Sequence, residues 1–319
     1  MPPLVSILIP AHDASPWIEA TLESALAQTH PACEIIVVDD GSRDDTQERV
    51  RSLAARRPGR IRSVNQPNSG ASAARNHALR LAHGDFIQYL DADDLLAPDK
   101  IARQLARLAE APPFAIASGP WGRFTAAPAE AIFTREDNWR DSTPLDWLRL
   151  NFAGRGMMPP AAWLLPRVLA DAAGPWDESL SLNDDGEYFC RVLLAASAVL
   201  FIPEARAFYR SGLSGSLSRS RSRRAWDSAW RSHQASARNL LAADDTPASR
   251  RACADLFTRL AHAMYPDAPD LVRACESRAT ALGGSPLRPA GGRAFRFTSA
   301  LLGWRVARRL QILAGKRPA

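Results

Sequence analysis

Cysteine is scarce in this chain of 319 residues. The four present (Cys33, Cys190, Cys253 and Cys275) form no CxxC pair and have no histidine at zinc-type spacing. A disulfide scaffold and a structural zinc site are thereby excluded, and the usage fits a reducing compartment. Long apolar runs are missing too. The longest, 192–202, is about half of the roughly 20 residues a spanning helix needs. No basic segment precedes the apolar stretch 4–10 (LVSILIP), which reads as a strand rather than a signal peptide, so the expected location is the cytoplasm. The phosphate-binding patterns are absent as well. No GxGxxG follows the first strand, where the text is Pro10-Ala11-His12-Asp13, and no GxxxxGK(S/T) occurs, so a dinucleotide Rossmann site and a P-loop both fail.

Acidic residues are lacking beyond Glu276. Nine basic residues lie past that point, from Arg278 to Arg317, against a net charge of +6 for the whole chain. The first 276 residues are therefore net acidic, and the basic character belongs to the tail, where it bears on partners more than on fold.

With 46% hydrophobic and 23% charged residues, the chain has an ordinary globular balance and the length of one large domain or two modest ones. Short apolar runs at 4–10, 34–39, 60–65, 86–90 and 114–118 read as strands. Helix patterns lie between them. The first opens at Ser15-Pro16, with a cap and a proline at the first helical position. A second covers about 44–57, acidic early and basic late. A third, about 69–83, stops at Gly84. The fourth starts at Pro98, with Ile101, Leu105 and Leu108 on one face. This alternation predicts an α/β fold, a mostly parallel sheet covered on both faces. From about 119 the rhythm loosens. A helix over 185–196 precedes a strand at 199–202, a Ser/Arg-rich stretch follows Tyr209-Arg210, and a Gly/Pro linker at 283–292 leads to a last helix. Two units are expected, 1–212 and a helical, Arg-rich 213–319.

Ligands of open parallel sheets sit outside the carboxyl ends of the strands. The residues just after the strands are Ala11-His12-Asp13, Asp39-Asp40-Gly41-Ser42 and Asp91-Ala92-Asp93-Asp94, three polar clusters on one edge. Crowded carboxylates raise one another's pKa unless a cation joins them, so the last cluster is a candidate hard-cation site for Mg²⁺ or Mn²⁺ beside substrate phosphates. The other reading is a capped turn before the next helix. Receiver-type and aspartate-nucleophile phosphatase patterns fit poorly, since position 41 is glycine and the paired aspartates follow the second strand.

VSILIPAHDAS, then EIIVVDDGSRDDT, NSGASAARNHAL and GDFIQYLDADDLLAP, resumed by GPWDESLSLNDDGEYFCR, together resemble the family 2 glycosyltransferases of the GT-A fold. The resemblance implies a metal-dependent, inverting transfer of a sugar from a UDP-sugar to a hydroxyl of a glycan or lipid-linked acceptor. It implies that Asp39 and Asp40 contact base and ribose, that Pro10, Ala11 and His12 line the base pocket, and that Arg75 lies near base and diphosphate. Asp91, Ala92 and Asp93 match the D-x-D motif, with Asp93 and Asp91 as ligands of Mn²⁺ or Mg²⁺. Asp185 aligns with the catalytic base, Asp184 stands where the family commonly has glutamate, and Tyr209, Arg210 and Ser216-Leu217-Ser218 match a loop closing over the diphosphate. No QxxRW motif occurs, which favours single-sugar transfer over processive synthesis. A catalytically silent nucleotide-sugar-binding or scaffolding protein on the same fold is the main rival. A nucleotidyltransferase would need a glycine-rich basic loop after the first strand, and this chain has none. Phe295, Phe297, Leu301, Leu302, Trp304 and Leu310 interleave with tail arginines. That pattern fits either a helix packed on the domain or peripheral association with an anionic membrane at its inner face. No nucleic-acid reader motif is present, so no nucleic-acid partner is expected.

Overall fold

The computed structural model of the protein describes residues 1–213 and 220–314. Strand and helix alternate through β1 (Val5–Ala11), α1 (Ile18–Leu26), β2 (Cys33–Asp39), α2 (Thr46–Arg56), β3 (Ile61–Asn65), α3 (Ala71–Leu81) and β4 (Phe86–Tyr89). A less regular stretch follows: β5 (Leu95–Leu96), α4 (Lys100–Ala109), β6 (Ile116–Ser118), β7 (Trp121–Phe124), α5 (Pro144–Phe152) and β8 (Leu165–Pro166). Then come α6 (Arg167–Ala173), α7 (Asp184–Ala195), β9 (Val199–Phe201) and β10 (Ala207–Arg210). The remainder is helical: α8 (Arg223–Ala243), α9 (Pro247–Met264), α10 (Pro269–Ala281), α11 (Arg293–Leu302) and α12 (Trp304–Leu313).

The main sheet runs β3-β2-β1-β4-β8, with only β8 antiparallel to its neighbour. β1 is buried at all seven positions, as its unbroken apolar text requires of a central strand covered on both faces. Each large aliphatic side chain buried there, such as Ile7 or Ile9, contributes about 1.5–3 kcal/mol. The chain moves from β1 outward to β2 and β3 on one side, then crosses to β4 on the other. The strand order thus reverses between β1 and β4, and a crevice opens at their carboxyl ends.

Several boundaries differ from the sequence reading, each for a local reason. Residues 15–16 do not open α1: the carbonyl of Ala14 accepts from Trp17 and Ile18, and the Ser15 amide donates to Asp44. Gly84 is not a helix cap, since α3 ends in extended backbone at Ala82. A Cβ at Gly84 would lie 2.6 Å from the backbone nitrogen of Ser6, so that glycine lets the entry to β4 touch β1. The strand expected at 114–118 starts at Ile116 and pairs with β9 rather than joining the main sheet. The last helix is two, broken at Gly303, whose φ of +79° favours glycine. The unit boundary at 212 is no break in packing either. Leu240, Cys253 and Phe257 of α8 and α9 belong to the same continuous core as β1 and α5.

Candidate active site

A cavity of about 960 Å³ lies at the carboxyl ends of β1 and β4. Register brings its parts together. Ala11 sits beside Asp39 across the β1–β2 ladder, and the amide of Asp40 continues that ladder by donating to Ala11 at 2.7 Å. Pro10, Ala11, His12 and Asp40 line one side of the cavity, Asp91, Ala92 and Asp93 the floor, and Asp184, Asp185 and Tyr209 the far side.

Asp40 is buried and heavily committed. One carboxylate oxygen accepts from Gln66 Nε2 and the Ser69 amide, the other from the Gly70 amide, all at 2.8 Å. A carboxylate offers about four acceptor positions, so about one remains for a ligand. Asp40 therefore also fixes the loop that delivers α3. Asp39 turns elsewhere: its carboxylate accepts from the amide and hydroxyl of Ser42, an Asx-type turn, and it is not part of the cavity lining. Gly41 makes that turn possible, with φ +70° and no room for a side chain, since a Cβ there would lie 2.9 Å from the Asn68 nitrogen. His12 lies at the mouth, its Nδ1 2.9 Å from the Asp40 carbonyl and its Nε2 3.1 Å from Asn68 Nδ2.

Arg75 projects from α3 into the acidic floor. Its Nη2 donates to Asp91 Oδ1 at 2.7 Å and its Nη1 to Asp184 Oδ2 at 2.8 Å, while its Cζ stands 4.4 Å from the centroid of Trp176. Burial weakens the charged guanidinium, but Asp91 and Asp184 outweigh it and raise the pKa overall. Arg75 thus ties the strand-end acid Asp91 to the first residue of α7. Ser72 adds a 3.0 Å bond to the same oxygen of Asp184.

The Asp91–Asp94 turn is held from two sides. Thr21 of α1 donates to the carbonyls of Ala92 and Asp94, and the Arg210 amide donates to Asp94 Oδ1 at 2.8 Å. Arg210 Nε also donates to the Asp93 carbonyl at 3.0 Å, with the guanidinium 4.4 Å over Phe124. Tyr209 and Arg210 therefore belong to β10, paired with β7, rather than to a loop. Ser216-Leu217-Ser218 lie outside the described residues. Burial pushes the Asp93 carboxyl up to about 6, with the Asp91 charge adding to it, and burial with the Asp93 and Asp91 charges raises Asp94 well above the usual carboxylate range. Asp94 Oδ2 is buried without a partner.

Asp185 opens the second turn-facing side. α7 begins after Asn183, which holds a left-handed φ of +62°. Burial raises the Asp185 carboxyl to about 6, and the neighbouring charge of Asp184 adds to it, against the opposing pull of Arg75. One of its oxygens accepts the Gly186 amide at 2.8 Å. The residues before α7 are anchored on α8. Ser228 Oγ accepts from the Ser181 and Leu182 amides, and Ser232 exchanges hydrogen bonds with the side chain and carbonyl of Asn183.

A hard cation fits this donor set in one way. Among the described residues no three His, Cys, Asp or Glu side chains are grouped to hold an ion alone. Asp91 and Asp93 instead offer oxygens from one turn, and Asp93 is destabilised as an anion by burial. One or two carboxylates with phosphate oxygens completing the shell is how Mg²⁺ is usually held. Sequence reasoning missed Trp17, Asn68 and Leu213 in the lining and the anchoring role of α8. Asn68 opens the NSGASAARNHAL motif but was given no role there, Trp17 and Leu213 stand outside the quoted motifs, and the serines of α8 lie more than 40 residues from the segment they anchor.

Residues 6–171, more than half of the chain, match the family model described as Glycosyl transferase family 2. The chain belongs to that family. It is 46% identical over 99 residues to the chondroitin synthase of Escherichia coli, covering 31% of this chain and 14% of that protein. Over 109 residues it is 41% identical to the putative teichuronic acid biosynthesis glycosyltransferase TuaG of Bacillus subtilis, covering 34% of this chain and 43% of that one. The chain thus spans less than half of these relatives' lengths. Among solved structures, S. aureus TarS 1–349 in complex with UDP-GlcNAc superposes with a TM-score of 0.73 at 16% identity, covering 98% of this chain and 92% of that one. The mannosyltransferase PcManGT of Pyrobaculum calidifontis, in complex with GDP-Man and Mn²⁺, gives 0.56 at 19% identity, covering 99% and 89%. The fold is GT-A, an α/β architecture around a mostly parallel sheet.

Proposed function

We propose that this protein is an inverting, non-processive glycosyltransferase that moves one sugar from a UDP-sugar to a hydroxyl of a glycan or lipid-linked acceptor. The observation that carries the reading is the convergence of Asp40, Asp91, Asp93 and Asp185 on one cavity at the strand-order reversal. The donor's nucleotide lies along Pro10, Ala11, His12 and Asp40, where the open position on Asp40 accepts from a base or ribose donor. Asp93 and Asp91 would hold Mn²⁺ or Mg²⁺, which when bound would supply charge neutralisation at the diphosphate. Arg75 acts as a positioning residue, since its guanidinium is engaged by Asp91 and Asp184.

Asp185 serves as the general base. The acceptor hydroxyl attacks the anomeric carbon as the bond from that carbon to the diphosphate oxygen breaks; the electron pair leaves with UDP, and the hydroxyl proton passes to Asp185. A base whose pKa is raised to about 6 holds that proton better than an ordinary aspartate would, while remaining ionised at neutral pH. Support for the donor class comes from TarS, which was solved with UDP-GlcNAc. Support for the acceptor class comes from WfaP of Escherichia coli, named as a UDP-Glc:alpha-D-GlcNAc-diphosphoundecaprenol beta-1,3-glucosyltransferase and 43% identical over 103 residues. Those residues cover 32% of this chain and 40% of WfaP.

The test is slow hydrolysis of UDP-sugars in the presence of Mn²⁺, read as UDP release. Asp185→Asn is expected to keep UDP affinity and lose roughly 10²–10⁴ in turnover. Release of UDP at the same rate by wild type and Asp185→Asn would overturn the assignment. UDP binding with no turnover on any sugar or acceptor would favour a silent nucleotide-sugar-binding protein.

A further inference from the structure

α11 and α12 form a helical pair with two distinct faces. The inner face is fixed to the body of the protein. Phe295, Ala307 and Arg308 are buried, and Trp304 meets the rings of His262 and Tyr265 edge-on at 4.8 and 5.1 Å. Arg308 donates to the Ala290 carbonyl and lies 4.5 Å over Phe295, and Arg305 pairs with Glu276. The outer face is apolar and uncovered. Phe297 is 70% exposed, Leu313 83%, and Leu301, Leu302, Val306 and Leu310 are exposed beside them.

The spacing explains why one helix has both faces. At roughly 100° per residue, Val306, Leu310 and Leu313 share a stripe opposite the Trp304, Ala307 and Arg308 face. Phe297 and Leu301 likewise share a stripe on α11, facing away from buried Phe295. Arg293 and Arg296 border the α11 stripe in solvent, and exposed Arg309, whose guanidinium lies 5.7 Å from the Tyr265 ring centroid, borders that of α12. Among the described residues neither Arg293 nor Arg296 has an ion-pair partner, and the sequence holds no acid after Glu276 to provide one nearby in the chain. A water-facing helix has no use for leucine and phenylalanine at successive turns. Exposed apolar stripes flanked by unpaired arginines match the chemistry of a negatively charged lipid surface.

We infer that this outer face docks on an anionic membrane, with Phe297, Leu301, Val306, Leu310 and Leu313 entering the headgroup boundary and the arginines meeting lipid phosphates. The inference rests on the tail alone, and its test needs no nucleotide-sugar, so it stands or falls separately from the glycosyltransfer reading. The full-length chain is floated with vesicles of phosphatidylcholine alone and of phosphatidylcholine with phosphatidylglycerol. Flotation with the anionic vesicles only, weakened by salt, is expected. Phe297→Ser/Leu301→Ser/Leu310→Ser, three exposed positions outside the core, should abolish it while leaving the circular dichroism spectrum and Tm unchanged. Arg293→Gln/Arg296→Gln/Arg309→Gln should lower the anionic partition coefficient at least roughly tenfold. No flotation with anionic vesicles overturns the inference, as does flotation that survives the triple serine variant. A wild-type dimer in light scattering that becomes monomeric in that variant, without vesicle binding, would assign the face to a second copy of the chain instead.

Discussion

Arg75 brings together acids that the chain itself keeps far apart: Asp91 lies 16 residues away and Asp184 lies 109 away. Each acid was visible in the sequence because it stands in a short motif at a strand end or helix start. Their joint ownership of one guanidinium was not, since nothing local encodes a contact across that separation. Breaking such a buried pair leaves two anions uncompensated, so Arg75→Met should lower stability by about 3 kcal/mol, read from the urea midpoint at constant slope. Arg75→Lys should recover only part of this, because an ammonium cannot fork between two carboxylates as a guanidinium does. At Asp185 the pH dependence has a definite sign. As the proposed base Asp185 would work ionised, and with burial raising its carboxyl to about 6, turnover should rise with pH through about 6 and level off above it. Arg75, Asp184 and Asp91 are the charges that set this position. The kcat profile of Asp185→Asn should lack that limb.

Elements were legible wherever burial on both sides wrote a continuous apolar run. β1, β2 and β4 are of this kind, and their ends locate the cavity. The short strands β5, β7, β8 and β10 were not, because two to four residues with mixed burial carry no period. Gly84 was misread for a related reason: a glycine after a helix suggests a cap, whereas here the constraint comes from Ser6 on another strand. Gly84→Ala should cost about 1–3 kcal/mol through that clash, while Gly59→Ala, with open space around it, would show only the strain of its positive φ. Lys100 is a further element-scale device. Its ammonium, fully buried, donates to Gln88, Gln104 and the Trp163 carbonyl, and so ties α4 to β4 and to the segment before β8. Lys100→Met would leave three buried acceptors short of a donor, and each unsatisfied group costs about 1–3 kcal/mol. A Tm drop well beyond that of an exposed Arg→Met change, such as Arg51→Met, is expected in thermal melts.

Across the whole molecule, the sequence reading set a boundary at 212, whereas the core runs continuously from β1 into α8 and α9. The helical region from α8 onward is not an appendage, because Ser228 and Ser232 hold the backbone that presents Asp184 and Asp185. Ser232→Ala should therefore lower kcat several-fold and leave UDP affinity near wild type, a pattern read from a kcat-against-KM comparison. No helix among the described residues is long and apolar enough to cross a membrane. The pair α11–α12 leaves Phe297, Leu301, Val306, Leu310 and Leu313 exposed. At this scale Asp40, the Asp91–Asp93 turn and Asp185 arrive at one cavity from three stretches of chain, and on the proposed function a cation would allow a diphosphate to enter among so many carboxylates. Calorimetric titration of UDP, with and without Mn²⁺, tests that most directly. Mn²⁺ should tighten UDP binding at least roughly tenfold in the wild type and have no such effect in Asp93→Ala. Equal UDP affinity with and without the ion, or an undiminished Mn²⁺ effect in Asp93→Ala, would contradict it.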